Sequence, residues 1–292
     1  MSQAQAHPYY IVAPPYLRTS AGARVLYRLA DLINKSGGSA YIHLRPYANT
    51  ASSGSPMDIA PFLTQKTIDY HFRLGLTPIV VYPETVKVTK FTPSIRVRYL
   101  LNYDGLLAKN EPLAEDDFLL CYSKSIENSV REERPKQTLF LPVSDPTFFS
   151  PPSKDSPRKG ACFYAGKYKY TFGGKTLPIT DGLTEITRDL EGSQTPEEIR
   201  QLFQTSEYFY CYEDSALALE AMLSGCPVIF LPNEHFQKTL GAHELEGLGY
   251  AWGDSQDGRA QAFQTVPQLR ARYLELLEES RKEILIFMAK TQ

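Results

Sequence analysis

The sequence predicts a two-domain α/β fold with largely parallel sheets. Three observations predict it. Strand-like apolar runs alternate with amphipathic helical segments. The 292 residues suit two cores at roughly 150 residues per domain. A proline-rich stretch also interrupts the alternation near the midpoint.

Tyr9-Tyr10-Ile11-Val12-Ala13 reads as a first strand, followed by a Pro/Ser/Thr loop over 15–20. A helix is predicted over 21–36, with Val25, Leu26, Leu29, Leu32 and Ile33 at three-and-four spacing and Gly37-Gly38 as its stop. Ala40 to Leu44 and Thr77 to Tyr82 read as further strands. This order opens a Rossmann-like domain. The segments Leu141 to Pro146 and Ser150 to Pro157 read as a linker, so a first domain is expected over 1–150.

The second domain, expected over 151–265, restarts with a strand at 161–165 and a Gly/Lys-bearing loop. A helix is predicted between strands over 171–187, but these residues carry turn and short-strand character, as in a trimmed domain. Thr195-Pro196-Glu197-Glu198 reads as a capping box opening a helix to about Gln204. Then come a strand at 208–212, a helix at 215–224 and a strand at 228–231, forming one βαβ unit. Ligands bind outside the carboxyl ends of such strands. A last helix over about 267–289, within a C-terminal segment 266–292, is a candidate to pack back on the first domain.

Composition bounds the function. Hydrophobic residues are 42% and charged residues 22%, which supports sizeable cores and excludes a disordered chain. The net charge of -2 offers no basic excess, so nucleic acid is demoted as a partner. The longest apolar runs, such as Pro227 to Pro232, are strand-length, so no transmembrane helix is expected. Met1 to His7 has no charged n-region or apolar h-region, so no signal peptide is expected. Cys121, Cys162, Cys211 and Cys226 make no CxxC pair. They read as buried reduced thiols, consistent with a cytoplasmic protein.

The chemistry concentrates in Tyr212 to Val228. Asp214 and Ser215 are good N-caps for a helix that follows an apolar strand, and the backbone N–H groups of such a helix start attract anions. Glu220 is the one charge in the helix Ala216 to Ser224. A carboxylate buried there without partners costs several kcal/mol, so it reads as an acceptor for sugar or ribose hydroxyls. The alternative is a Glu on the solvent face of the helix.

Leu219-Glu220-Ala221-Met222-Leu223-Ser224-Gly225-Cys226-Pro227-Val228 resembles the donor-site motif of GT-B glycosyltransferases. Within that fold the run is similar to the retaining, GT4-like group, of polysaccharide, O-antigen or capsule type. Ile79 to Glu84 with Arg98 to Gly105 is similar to a pattern of bacterial polysaccharide glycosyltransferases. Thr19-Ser20-Ala21-Gly22 resembles the small-residue loop that admits acceptor and donor. Phe163 to Lys167 and Ile186 to Arg188 look like basic strand ends that meet the donor diphosphate.

The resemblance implies two Rossmann-like domains facing across a cleft. It also implies a metal-independent hexosyltransferase whose donor is a nucleoside-diphosphate sugar and whose acceptor is a glycan or lipid-linked glycan. Glu220 would bind the nucleotide ribose. The family's first acidic residue lies eight positions earlier and faces the sugar. Here position 212 is Tyr, and the carboxylate is Glu213, at a spacing of seven.

Departure of a nucleoside diphosphate needs fixed positive partners. The candidates are Lys167, Arg188 and the Ser215–Ala216 backbone, with Gly22 and Tyr212 also expected at the donor. Competing readings are a solvated lysine for Lys167, and for Arg188 a surface pair with Asp189 or Glu185. No Asp-x-Asp motif occurs in strand-end context; Asp116-Asp117 reads as a turn or helix cap. Retention implies front-face attack. Inversion would need a base, for which Glu84 is the best candidate, its alternative being a strand-end cap. His43 and His71 read as core or helix-face histidines.

Lys87, Lys90, Arg96 and Arg98 form a basic stretch that suits acceptor phosphates or peripheral contact with an anionic membrane surface, or else a solvated face. Two other functions remain open: a sugar-nucleotide 2-epimerase, and a non-catalytic sugar-nucleotide-binding module of a polysaccharide assembly complex.

Overall fold

The computed structural model describes residues 6–45, 60–88, 91–106, 109–131, 133–153, 157–188 and 190–292. The chain divides into two compact units: Met1–Val143 with Leu276–Gln292, and Ser144–Glu275.

In the first unit, strands β1 (Tyr9–Ala13), β2 (Ala40–Leu44), β3 (Ile79–Pro83), β4 (Ile95–Leu100), β5 (Phe118–Cys121) and β6 (Lys136–Thr138) form a parallel sheet. Their order is β2-β1-β3-β4-β5-β6. β1 and β3 are buried along their whole length, as apolar runs covered on both faces must be. Helix α1 (Ala21–Lys35) is capped by Ser20, whose Oγ accepts the Ala23 N–H at 3.3 Å. It ends in a Schellman-type closure: Gly37 takes φ +88° and the Gly38 N–H reaches the Ile33 carbonyl at 2.9 Å. Helices α2 (Gln65–Arg73) and α3 (Lys124–Ser129) complete the unit's N-terminal portion.

The basic stretch does not form one solvated cationic face. Arg98 is 1% exposed. Its guanidinium donates to the Val86 carbonyl at 2.5 Å, lies 3.8 Å from Asp117 and sits over the Tyr82 ring. Arg96 pairs with Asp116 at 2.7 Å and with Asp117. β4 is an interior strand, so these charges are matched within the fold rather than presented to phosphates. Asp117 also closes the expected turn by accepting the Ala114 N–H at 2.8 Å. Lys87 is exposed, and Lys90 lies outside the described residues.

In the second unit, β7 (Ala161–Tyr164), β8 (Thr184–Glu185), β9 (Tyr208–Cys211), β10 (Val228–Phe230) and β11 (Tyr250–Trp252) form a parallel sheet ordered β11-β10-β9-β7-β8. Its helices are α4 (Gly166–Tyr170), α5 (Pro196–Thr205), α6 (Ala216–Leu223) and the first part of α7 (Gln256–Thr291). α5 begins with the full capping box of Thr195 and Glu198. No α-helix spans 171–187. A 3₁₀ turn at Pro178–Thr180 and the two-residue β8 stand there instead.

α7 starts earlier than the sequence predicts. Pro267 lies inside it rather than at its first turn. The proline is on an exposed position, where solvent can satisfy the carbonyl that loses its helical partner. The last part of α7 belongs to the first unit, where Ile284 and Phe287 join the core and Thr291 meets the Tyr9 hydroxyl at 2.7 Å.

All four cysteines are buried and free. Among the described residues, no helix is long and apolar enough to cross a membrane.

Candidate functional site

Both sheets change direction beside their first strand, between β1 and β3 and between β7 and β9. Ligands bind at the carboxyl ends of strands at such switch points. In the second unit β7 and β9 run in register with Tyr164 opposite Cys211. Gly166-Lys167 and Tyr212-Glu213 therefore emerge side by side.

Glu213 is 1% exposed. Its carboxylate accepts the Lys167 backbone N–H at 2.6 Å and the Lys167 ammonium at 2.9 Å. Gly166 makes this approach possible. It has φ +45°, and a Cβ there would stand 2.6 Å from the Tyr164 ring and 2.8 Å from Glu213 Cδ. Lys167 is thus neither a plain solvated loop lysine nor an unengaged cation.

Tyr212 is a packing residue. Its ring stacks on Tyr168 at 5.2 Å. Its hydroxyl accepts the Leu177 N–H at 2.6 Å and bonds Thr180 Oγ1 at 2.9 Å, tying 171–187 to the sheet. The Tyr212 carbonyl accepts from Asn233 Nδ2 at 2.7 Å. Tyr168 and Asn233 went unnoticed in the sequence. The one signal for Asn233 was its place just after an apolar strand, in Pro232-Asn233.

Ser215, not Asp214, caps α6; its Oγ accepts the Leu217 N–H at 3.3 Å. Asp214 instead accepts the Leu240 N–H at 2.5 Å. Burial pushes its carboxyl up to about 6, with Glu213 reinforcing the rise and Leu240 and Lys167 opposing it. Ala216 is buried at the start of α6.

Glu220 points inward and is 2% exposed, not on a solvent face. Arg188, beyond the end of β8, brings its guanidinium to 3.8 Å from this carboxylate and lies over the Tyr164 ring at 5.5 Å. The surface pair with Glu185 does not form, because Glu185 is taken by Lys169 at 2.5 Å and Tyr170 at 2.9 Å. Asp189 lies outside the described residues. One sheet end therefore gathers two acid–base pairs, Lys167–Glu213 and Arg188–Glu220, beside a helix N-terminus.

At the first unit's switch point, Glu84 follows β3. Its carboxylate accepts the Leu101 N–H at 3.1 Å, and burial raises its pKa. It bridges the ends of β3 and β4, a strand-end cap. Gly22 lies in the first turn of α1, where a Cβ would make ordinary contact with Leu101 Cδ1 at 3.6 Å. His71 is buried against the Tyr10 hydroxyl at 2.8 Å, and His43 packs on Phe91 at 5.1 Å. Burial lowers the pKa of both histidines, and Arg45 adds to the effect on His43. No cluster of three or more His, Cys, Asp or Glu with metal-binding geometry occurs among the described residues.

No family profile matches the chain, and no curated protein sequence matches it. Solved structures do. Spinosyn forosaminyltransferase SpnP aligns over 98% of this chain and 99% of its own, at 12% identity and a TM-score of 0.51. WaaG, a glycosyltransferase involved in lipopolysaccharide biosynthesis, aligns over 97% of this chain and 95% of its own, at 10% identity and a TM-score of 0.48. An α-glucosyltransferase in complex with UDP and DNA aligns over 99% and 96%, at 12% identity and a TM-score of 0.47. The likeness to SpnP is one of fold: the two parallel α/β units are those of the GT-B architecture.

Proposed function

We propose that the chain is a glycosyltransferase that moves a sugar from a nucleoside-diphosphate sugar to a glycan or lipid-linked glycan acceptor. One observation carries this reading. Arg188 and Glu220, a buried cation and a buried carboxylate, meet at the switch point of the second sheet, beside Lys167 and the N-terminus of α6. Carboxylate suits ribose hydroxyls, and cations suit the charge that grows on a departing diphosphate. The GT-B fold shared with a forosaminyltransferase supports the same class.

In this reading Glu220 accepts the ribose hydroxyls, while Lys167 and Arg188 stabilise the diphosphate without a metal. The reaction is retaining, with front-face attack by the acceptor hydroxyl and a diphosphate oxygen drawing off its proton. What supports retention is that Glu84, the base an inverting route would use, already holds the Leu101 N–H.

A thermal-shift screen with UDP, dTDP, GDP, CDP and ADP, in the presence of chelator, tests the donor site. One diphosphate at 100 times its Kd should stabilise the chain by about 2.7 kcal/mol, and Glu220→Ala should weaken the response. Equal shifts in wild type and variant would count against the ribose role. Turnover that requires a glycan acceptor separates transfer from epimerisation and from a non-catalytic module.

A further inference from the structure

Glu213 stands one position beyond the place that the resemblance reserves for a carboxylate facing the donor sugar, and its chemistry is already committed. One oxygen holds the Lys167 backbone N–H at 2.6 Å, and the other holds the Lys167 ammonium at 2.9 Å. The carboxylate side chain is 1% exposed, whereas the lysine side chain is 42% exposed. The backbone at Gly166 is shaped around it: the positive φ brings the chain to where any Cβ would strike Glu213 Cδ at 2.8 Å. The buried end of this pair is therefore fixed and its cationic end is accessible.

We propose that Glu213 is a positioning residue, a built-in counter-ion that holds Lys167 at the end of β7 and that the donor diphosphate must displace from the ammonium. This rests on the donor-site reading above. Displacement leaves Glu213 its bond from the Lys167 backbone N–H, so the loop keeps its shape while the ammonium turns to the phosphates. The arrangement makes diphosphate affinity a contest between two anions for one cation. A half-exposed ion pair contributes on the order of 1 kcal/mol, equivalent to about fivefold in Kd.

The experiment is calorimetric titration of the chain with the diphosphate selected by the thermal-shift screen and, separately, with its nucleoside. Wild type, Glu213→Gln, Lys167→Met and the double variant are compared. Glutamine keeps an oxygen for the backbone N–H and removes the competing charge. The expected result is that Glu213→Gln binds the diphosphate about fivefold more tightly, binds the nucleoside as wild type does, and shows no gain when Lys167 is Met. Diphosphate affinity that is unchanged or weaker in Glu213→Gln overturns the proposal, as does a gain that persists without Lys167. Loss of nucleoside and diphosphate binding together assigns Glu213 a merely structural role and also overturns it. If wild type binds none of the five diphosphates, the donor-site reading itself falls and takes this inference with it.

Discussion

The Arg188 guanidinium lies 3.8 Å from the Glu220 carboxylate, joining the segment after β8 to the middle of α6. α6 is otherwise apolar or small in every position, so this cation offsets a charge that its own helix does nothing to compensate. The pair also fixes the direction of Glu220 within the second unit.

Breaking this pair should cost stability. Glu220→Ala removes the carboxylate facing a guanidinium that is itself only 7% exposed. Loss of about 2–4 kcal/mol in urea unfolding is expected, with Glu220→Gln losing less because it keeps the shape. A variant as stable as wild type would show that the pair contributes little.

Tyr212→Phe keeps the stack on Tyr168 but removes the hydroxyl that holds Leu177 and Thr180. A loss of about 1–2 kcal/mol is expected, together with faster hydrogen exchange at the Leu177 amide. Unaltered protection at Leu177 would contradict this anchoring role.

Two glycines should respond in opposite ways. Gly166→Ala forces a side chain into φ +45° against Tyr164 and Glu213, at a cost of roughly 2 kcal/mol or more. Gly22→Ala adds a methyl in ordinary contact within α1 and should stabilise by about 0.5–1 kcal/mol. Thermal unfolding of the two variants decides both.

Asp214 makes stability depend on pH. Its carboxyl is pushed from 3.8 up to about 6, so the folded state holds this proton more tightly than the unfolded state. Its contribution is full below the ordinary carboxyl value and is lost as pH rises through about 6. Asp214→Asn, which keeps an acceptor for Leu240, should therefore gain on wild type between pH 4 and pH 7.5, by about 2 kcal/mol. A difference that stays flat with pH would contradict the raised carboxyl.

The elements that the sequence revealed are those with local signatures. Ser20 and Gly37-Gly38 bracket α1, the Thr195–Glu198 box opens α5, and apolar runs mark β1, β2, β7 and β9. The α6 segment stood out for the same reason, because a lone carboxylate in an apolar helix is conspicuous, and Glu220 is indeed buried. Pairing over distance was not legible. Asp116-Asp117 read as a local turn, and nothing near it in sequence shows that it neutralises Arg96 and Arg98. Arg188 had a nearer acid in Glu185, which Lys169 and Tyr170 claim instead. β6 went unassigned because its three residues, Lys136-Gln137-Thr138, include no apolar side chain to mark a strand. Pro267 misled the start of α7, since a proline more often opens a helix than rides within it.

The most direct test of the proposed donor site is a crystal structure of the chain with the selected nucleoside diphosphate. Ribose hydroxyls are expected within hydrogen-bond reach of Glu220, and phosphate oxygens on the Lys167 ammonium. A nucleotide bound away from the carboxyl ends of β7 and β9, or one whose ribose avoids Glu220, would contradict the proposed site.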